Sequence, residues 1–389
     1  MVSSVSPAPN GTGAAFVWTA REFPAWYRAG ILDQHGGVVL TAEEKRIWGR
    51  PTWAPTGELA VGGFVGIRRV VYGVEAHSGT TSLLADGQDA SYELVDHEGA
   101  GVVVCRRRSL DGSVALVRTG GDGDEVLTQE RPTNPRWRRA SLVSWSWAGL
   151  ELQGILVPPA ATRPPWPTTV FLHGGPVGSL AAGEADRVGA WTDSRWATFI
   201  PEFPASGICG EAAMLAAFAA EELPDDDHEV EAVLAGIDTL VESGLVDEER
   251  LFVVGHSYGA YLMNRALTRS HRFRAAVCWE GVADLRLLDQ ASLAMQATWR
   301  GGHHHETPER WSAASPIDRS EHVRTPTLLF YGADSSLVAQ GQRWYDALHE
   351  AGVPVRIVVE DGVGHTFGTQ ERAEQFHELV ADWVTQHLT

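Results

Sequence analysis

Residues 251–262, LFVVGHSYGAYL, run from four apolar residues into a glycine and set a serine midway between Gly255 and Gly259. A serine hydroxyl is a useful nucleophile only when a base takes its proton and a third group holds that base in one tautomer. In a parallel α/β sheet the three groups follow one another along the chain as serine, acid and histidine. Downstream of Ser257, LLFYGADSS reaches Asp334 just past a strand, and VVEDGVGHTFG reaches His365 in a loop ahead of the last helix. Each alone has an ordinary explanation: a turn aspartate, a surface histidine, and, with 41 glycines in 389 residues, a G-x-S-x-G string by chance. In that order and at three strand ends they form a candidate triad for acyl transfer, Ser257, Asp334 and His365.

The neighbouring glycines have a steric reason. A nucleophile on a sharp strand-to-helix turn brings the residues two before and two after it against other elements, where a side chain would collide. Gly255 and Gly259 fill those places. A tetrahedral intermediate also needs donors for its oxyanion. The N–H of Tyr258 at the start of a helix supplies one, and Gly175, in the His173-Gly-Gly-Pro turn, supplies the second.

Other residues carry weaker signals. Trp279 and Glu280, in CWEGVADL, end the strand after the nucleophile helix and fall near the pocket mouth; a tryptophan there is commonly core. A buried glutamate is costly unless paired, so Glu280 either pairs with an arginine or meets a substrate amine. Trp299, Met295 and Leu287 are candidates to line an apolar pocket. His303, His304 and His305 are adjacent on a loop and cannot all face one ion, and no carboxylate has metal spacing around them. No metal or other cofactor is expected. The acidic run EELPDDDHEVE reads as a solvated helix start.

These residues must be held by a sheet. From residue 168 onward, TTVFLHGG, RWATFIPEF, LFVVG, FRAAVCWEG, TPTLLFYGAD and VRIVVEDG read as strands alternating with helices over Glu229–Glu242, from Ala260, over Gln340–Ala351 and from Gln370. Asp225–Asp227 supply capping acids. Such alternation means a doubly wound, mostly parallel sheet with its catalytic residues at the carboxyl ends of strands. Residues 14–137 differ: short alternating segments such as ELAVGGFV, RRVVYGVEA and VALVRTGGDG recur about every ten residues between D-G and H-S-G turns, which is antiparallel. At about 40 residues per blade the segment holds three propeller blades at most, so it is a partial propeller or a cap. Its exposed strand edges call for a cover, and a homodimer would provide one. The boundaries expected are a flexible tail at 1–13, the β domain at 14–137 and the α/β domain at 138–389.

The bulk composition narrows the function. A net charge of −19 argues against nucleic acid and anionic membrane as partners. Three cysteines, far apart, make no disulfide framework and fit a reducing compartment. With no apolar stretch of membrane-spanning length and no leader pattern, a cytoplasmic protein is expected.

The pieces FLHGGPVGS, VDEERLFVVGHSYGAYL, RGGHHHETPERWSAASPI, VRTPTLLFYGAD and VEDGVGHTF together resemble the prolyl oligopeptidase family of serine peptidases, nearest its acylaminoacyl-peptidase-like branch. The resemblance covers about 250 residues, from the connector to the C-terminus. It implies an α/β-hydrolase domain with Ser257, Asp334 and His365 as triad, Gly175 and Tyr258 as oxyanion donors, and the His303 loop at the substrate pocket. The chain departs from the family in its short β domain, in Ala260 and His256 around the elbow, and in YGAD, one residue shorter than the usual run to the acid. The activity expected is cleavage of peptide bonds in short peptides through an acyl-enzyme. The alternatives are an esterase or a peptide-tailoring acyl transferase or cyclase on the same triad, and, less favoured, a non-catalytic scaffold.

Overall fold

The computed structural model describes residues 2–19, 27–41, 46–120, 123–131, 135–160, 162–175, 178, 180, 196–207, 210, 214 and 227–387, without the side chains of residues 291, 294, 295, 298 and 299. Cys209, Asp225, Asp226 and the side chains of Met295 and Trp299 therefore lie outside the described residues.

Two compact units are present. The continuous part of the first is Met1–Leu142. Among the described residues it holds three four-stranded antiparallel sheets: β1 (Val2–Pro7), β2 (Gly13–Thr19), β3 (Tyr27–Asp33) and β4 (Val38–Leu40); β5 (Ile47–Trp53), β6 (Leu59–Val65), β7 (Arg68–Val74) and β8 (Thr81–Ala85); and β9 (Ala90–Gly99), β10 (Val102–Ser109), β11 (Val114–Gly120) and β12 (Gly123–Glu130). Alternation drives their packing. In β2 Ala15 and Val17 are buried, in β11 Ala115 and Val117, while the residues between them are only partly covered. One apolar cluster joins the first sheet to the second through Val17, Ile31, Ile47, Val61 and Tyr72, and another joins the second to the third through Val71, Tyr92, Val103 and Val117. The three sheets are thus packed on one another in chain order.

The expected tail at 1–13 is not a tail. Val2–Pro7 pairs antiparallel with β2, and the Trp53 indole N–H donates to the Ser6 carbonyl at 2.9 Å. Its serines and prolines have low strand propensity, but pairing with a neighbouring strand overrides local preference at a sheet edge.

The second unit comprises Val143–Ser179, Gly189–Ser206 and Met214–Thr389. It is built on an eight-stranded sheet whose elements are β13 (Ser141–Trp147), β14 (Leu150–Val157), β15 (Trp166–Leu172), β16 (Ala197–Pro201), β17 (Val246–His256), β18 (Phe273–Trp279), β19 (Thr327–Gly332) and β20 (Val355–Glu360), in the order β13-β14-β16-β15-β17-β18-β19-β20. From β16 to β20 every pairing is parallel, whereas β14 pairs with β16 antiparallel. Leu251–Gly255 and Thr327–Gly332 are buried at every position, as strands covered on both faces must be. Among the described residues the α-helices are α1 (His228–Glu242), α2 (Tyr258–Leu267), α3 (Gln290–Trp299), α4 (Pro308–Ala314), α5 (Val338–Glu350) and α6 (Gln370–Gln386). Among the described residues no helix is long and apolar enough to cross a membrane.

Candidate active site

The strand β17 delivers Ser257 to the start of α2. The serine backbone is held at φ 55° and ψ −118°, a region that side chains other than glycine rarely enter, and its N–H donates to the Trp279 carbonyl at 2.9 Å. The crowding expected around this turn is present. A Cβ on Gly255 would lie 2.4 Å from the Gly259 carbonyl oxygen, and one on Gly259 would lie 2.1 Å from the Leu172 carbonyl oxygen. The turn exists in this shape because both positions lack a side chain.

His365 arrives from the loop between β20 and α6, and its Nε2 lies 3.0 Å from Ser257 Oγ. The other ring nitrogen, Nδ1, lies 3.4 Å from Glu280 Oε2. Glu280 is fully buried, follows β18 directly, and has a positive φ of 54°. Its Oε1 accepts the Gly332 N–H at 2.6 Å, and its Oε2 accepts the Ser335 hydroxyl. The expectation that Glu280 pairs with an arginine or awaits a substrate amine is thus not met; it meets His365.

Asp334, expected as the orienting acid, is not brought to His365. The strand β19 ends at Gly332, the Asp334 N–H donates to the Val363 carbonyl at 2.9 Å, and the Asp334 side chain is exposed. Its carboxylate has no hydrogen-bond or ion-pair partner among the described residues. The residue turned inward at this bend is the next one, Ser335, which is 7% exposed.

His256 takes a part in the site that its sequence context does not announce. Its Nε2 faces the His365 carbonyl oxygen at 3.3 Å, and its ring packs against Trp279 with centroids 3.8 Å apart. Burial, reinforced by the neighbouring His365, lowers its pKa to about 4. The ring is therefore neutral near pH 7, with an Nε2–H to give to the loop that carries His365. Nothing in the spacing around Ser257 marks this role; only its position directly before the nucleophile does.

The cavity beside Ser257 measures about 320 Å³ and is lined by Gly175, Tyr258 and His365 together with the apolar Tyr261, Val282, Leu285, Leu288 and Leu337. Asp289, Ser292, Gln296 and Ser336 add polar groups at its wall. Tyr258 opens α2, where the first four amides have no intrahelical acceptor. Both expected oxyanion donors thus border the nucleophile's cavity.

Of the other expected pocket residues, Trp279 instead stacks on Phe367, with centroids 4.5 Å apart, as part of an aromatic cluster with Phe376. Trp299 ends α3. Leu287 is exposed, and so is His303, whose ring stacks on that of His305. The acidic helix start is not simply solvated. Asp227 and Glu229 are buried; Asp227 pairs with Arg265 at 2.6 Å rather than capping α1 with its side chain.

Residues 221–389 match the model of the prolyl oligopeptidase family. Among curated proteins, dipeptidyl-peptidase 5 of Aspergillus fumigatus is 26% identical over 235 residues, covering 57% of this chain and 32% of that enzyme. The acylamino-acid-releasing enzyme of Arabidopsis thaliana is 25% identical over 237 residues, covering 57% and 30%. The chain thus spans about a third of the length of the curated relatives it matches. Among solved structures, an acylaminoacyl peptidase in complex with Z-Gly-Gly-Phe-chloromethyl ketone superposes with a TM-score of 0.80 at 17% identity, covering 97% of this chain and 62% of that one. A puromycin-hydrolyzing peptidase of Mycobacterium tuberculosis gives 0.77 at 19%, covering 100% and 71%. The fold of those enzymes, an antiparallel β unit followed by an α/β-hydrolase unit, is the fold seen here. The segment that holds Ser257 thus matches the prolyl oligopeptidase family model and is similar in sequence to peptidases of that kind.

Proposed function

We propose that this chain is a serine peptidase that cleaves amide bonds in short peptides through a covalent acyl-enzyme. The observation that carries the reading is the 3.0 Å approach of His365 Nε2 to Ser257 Oγ on a positive-φ elbow. His365 takes the Ser257 proton as Oγ attacks the scissile carbonyl carbon. The resulting oxyanion is received by the N–H groups of Tyr258 and Gly175. The intermediate collapses as His365 returns the proton to the leaving amine. Water then repeats the sequence on the ester and frees the acid.

The aliphatic and tyrosine lining of the cavity supports a large apolar side chain beside the scissile bond. The relatives' names, dipeptidyl-peptidase and acylamino-acid-releasing enzyme, support peptides and acylated amino acids as the substrate class. A cytoplasmic setting belongs to the same proposal, supported by Cys105 and Cys278, both buried and unbridged. So does a homodimer that covers the edges of the short β unit.

Labelling with a fluorophosphonate, followed by a panel of peptide amides and simple esters, tests the reading. Wild type is expected to label and to turn over amides with large apolar residues before the cleaved bond. Turnover of esters alone would replace peptidase with esterase, and labelling with transfer to amines but no hydrolysis would make the enzyme a tailoring acyl transferase. A folded protein that takes no label overturns the reading.

A further inference from the structure

We propose that Glu280, rather than Asp334, is the carboxylate that positions His365, so that the acid of this triad comes from the end of β18 and not from the end of β19. The inference rests on the acyl-enzyme reading and deepens it.

Hydrogen-bond chemistry leads here. A carboxylate only accepts, so with Glu280 Oε2 at 3.4 Å from Nδ1 the imidazole proton sits on Nδ1. Nε2 is then left with its lone pair toward the Ser257 hydroxyl, 3.0 Å away. That is the tautomer a general base needs. The 3.4 Å spacing is long for a hydrogen bond, as is common before substrate binds and the site tightens.

The carboxylate is also held for the task. A fully buried glutamate is strongly disfavoured unless its oxygens are satisfied. Its partners among the described residues are the Gly332 N–H, the Ser335 hydroxyl and His365, with no arginine or lysine among them. When His365 takes the serine proton, the imidazolium that forms is the one cation facing this carboxylate among those residues. The backbone is bent to make the meeting possible, with Glu280 at φ 54°. Such strain persists where the surroundings impose it, and it concentrates at functional sites. On the other side, a Cβ on Gly332 would lie 2.1 Å from the Val363 carbonyl oxygen, so a glycine is needed for the His365 loop to approach the end of β19 this closely.

Asp334 has none of this. It is exposed, without a partner for its carboxylate among the described residues, while Ser335 beside it reaches inward to Glu280.

The test compares Glu280→Gln, Asp334→Asn and the double variant Glu280→Gln/Ser335→Asp with wild type, all in the full chain. The readouts are kcat and KM against pH on a peptide amide, and the downfield proton resonance of the His365 Nδ1–H in the enzyme without substrate. Glutamine keeps an acceptor for Gly332 but presents an N–H to the ring and favours the wrong tautomer. A fall in kcat of about 10³-fold or more is expected, with KM nearly unchanged. His256, the other titratable ring against His365, has its pKa lowered to about 4 by burial and is neutral near pH 7. Asp334→Asn stays within about twofold of wild type and keeps the downfield resonance, which Glu280→Gln loses. An aspartate at 335 returns a carboxylate to the space where Ser335 now touches Glu280, and the double variant regains about tenfold or more of the lost kcat.

Wild-type rates in Glu280→Gln, or a resonance that survives it, overturn the assignment. So does a loss of about 100-fold in Asp334→Asn. If Glu280→Gln does not fold, Asp334→Asn decides: retained rate and resonance support Glu280. The resonance is read without turnover, so an enzyme inactive on every peptide would sink the proposed activity, while the resonance in the two single variants still decides between Glu280 and Asp334.

Discussion

The Tyr258 hydroxyl donates to Glu229 Oε2 at 2.6 Å, tying the residue after the nucleophile to a carboxyl that is almost completely buried at the start of α1. Burial pushes the Glu229 pKa up to about 7, against the Tyr258 hydrogen bond and the Arg265 charge, which lower it, while Asp227 raises it further. A carboxyl whose folded pKa lies above its unfolded value binds its proton more tightly when folded. Stability then falls as pH rises from about 4.5 to about 7, where only the unfolded chain has released the proton. Glu229→Gln keeps the acceptor for Tyr258 and removes the titration. The variant is expected to match wild type near pH 4.5 and to exceed it by up to about 3 kcal/mol at pH 8. Urea unfolding at the two pH values measures this; equal stability of variant and wild type at both contradicts it.

The cavity wall gives a second prediction. Leu288 lines the space beside Ser257, along with Val282, Leu285 and Leu337. Leu288→Trp fills part of about 320 Å³. It should lower kcat/KM for amides with phenylalanine or leucine before the cleaved bond by about 10- to 100-fold, and spare alanine or glycine there. A uniform loss across the panel would place the acyl-side residue elsewhere.

Much of this site is legible in the sequence, and the part that is not has a physical reason. Ser257 and His365 follow from strand ends and chain order, and the steric demand at Gly255 and Gly259 is a property of the turn itself. The ten-residue rhythm of the β half announces three antiparallel sheets. Chain order alone does not choose the acid, because two carboxylates, Glu280 and Asp334, each stand just beyond a parallel strand, and residue order cannot say which one turns inward. That choice is made by the positive φ of Glu280 and by the bend that exposes Asp334 and buries Ser335. Neither torsion leaves a trace in hydrophobic periodicity. The acidic start of α1 misleads similarly, since a run of like charges gives no warning that Asp227 and Glu229 are buried against Arg265 and Tyr258. The first strand escapes because its stability comes from Gly13–Thr19, a pairing that composition does not express.

His256 faces the backbone carbonyl of His365, the proposed base, through its Nε2. Replacing it with phenylalanine keeps a ring against Trp279 but removes the donor to the His365 carbonyl. With the loop less firmly held, kcat is expected to fall by about 10-fold while Ser257 still takes a fluorophosphonate. The pH dependence of stability changes as well. With a folded pKa near 4, below the ordinary value of 6.5, His256 resists protonation in the folded chain, so wild type loses stability as pH falls from about 6.5 toward 4. His256→Phe should flatten part of that slope in thermal melts, leaving the share due to His377, whose pKa burial also lowers to about 4. An unchanged slope would show that His256 is charged at low pH without cost.

The elbow itself sets the last prediction. A methyl group at Gly259 would sit 2.1 Å from the Leu172 carbonyl oxygen and 2.5 Å from that of His173, both backbone atoms at the end of β15. Backbone cannot rotate away as a side chain does, so Gly259→Ala forces α2 and β15 apart. The cost is about 3 kcal/mol, at the upper end for overpacking a dense interior. The displacement also acts on chemistry, because β15 leads into His173–Gly175 and α2 begins at Tyr258, the two sources of the proposed oxyanion donors. Gly259→Ala is therefore expected to lose about 100-fold or more in kcat even where it remains folded, since a donor removed from an oxyanion costs that much. Ala260→Gly, one position along and already free of bulk, is the matched control: it should lose less than about 1 kcal/mol by helix propensity and keep most of its activity. If Gly259→Ala unfolds at wild-type denaturant concentration and turns over at the wild-type rate, the close approach of α2 to β15 is not what shapes the nucleophile's turn.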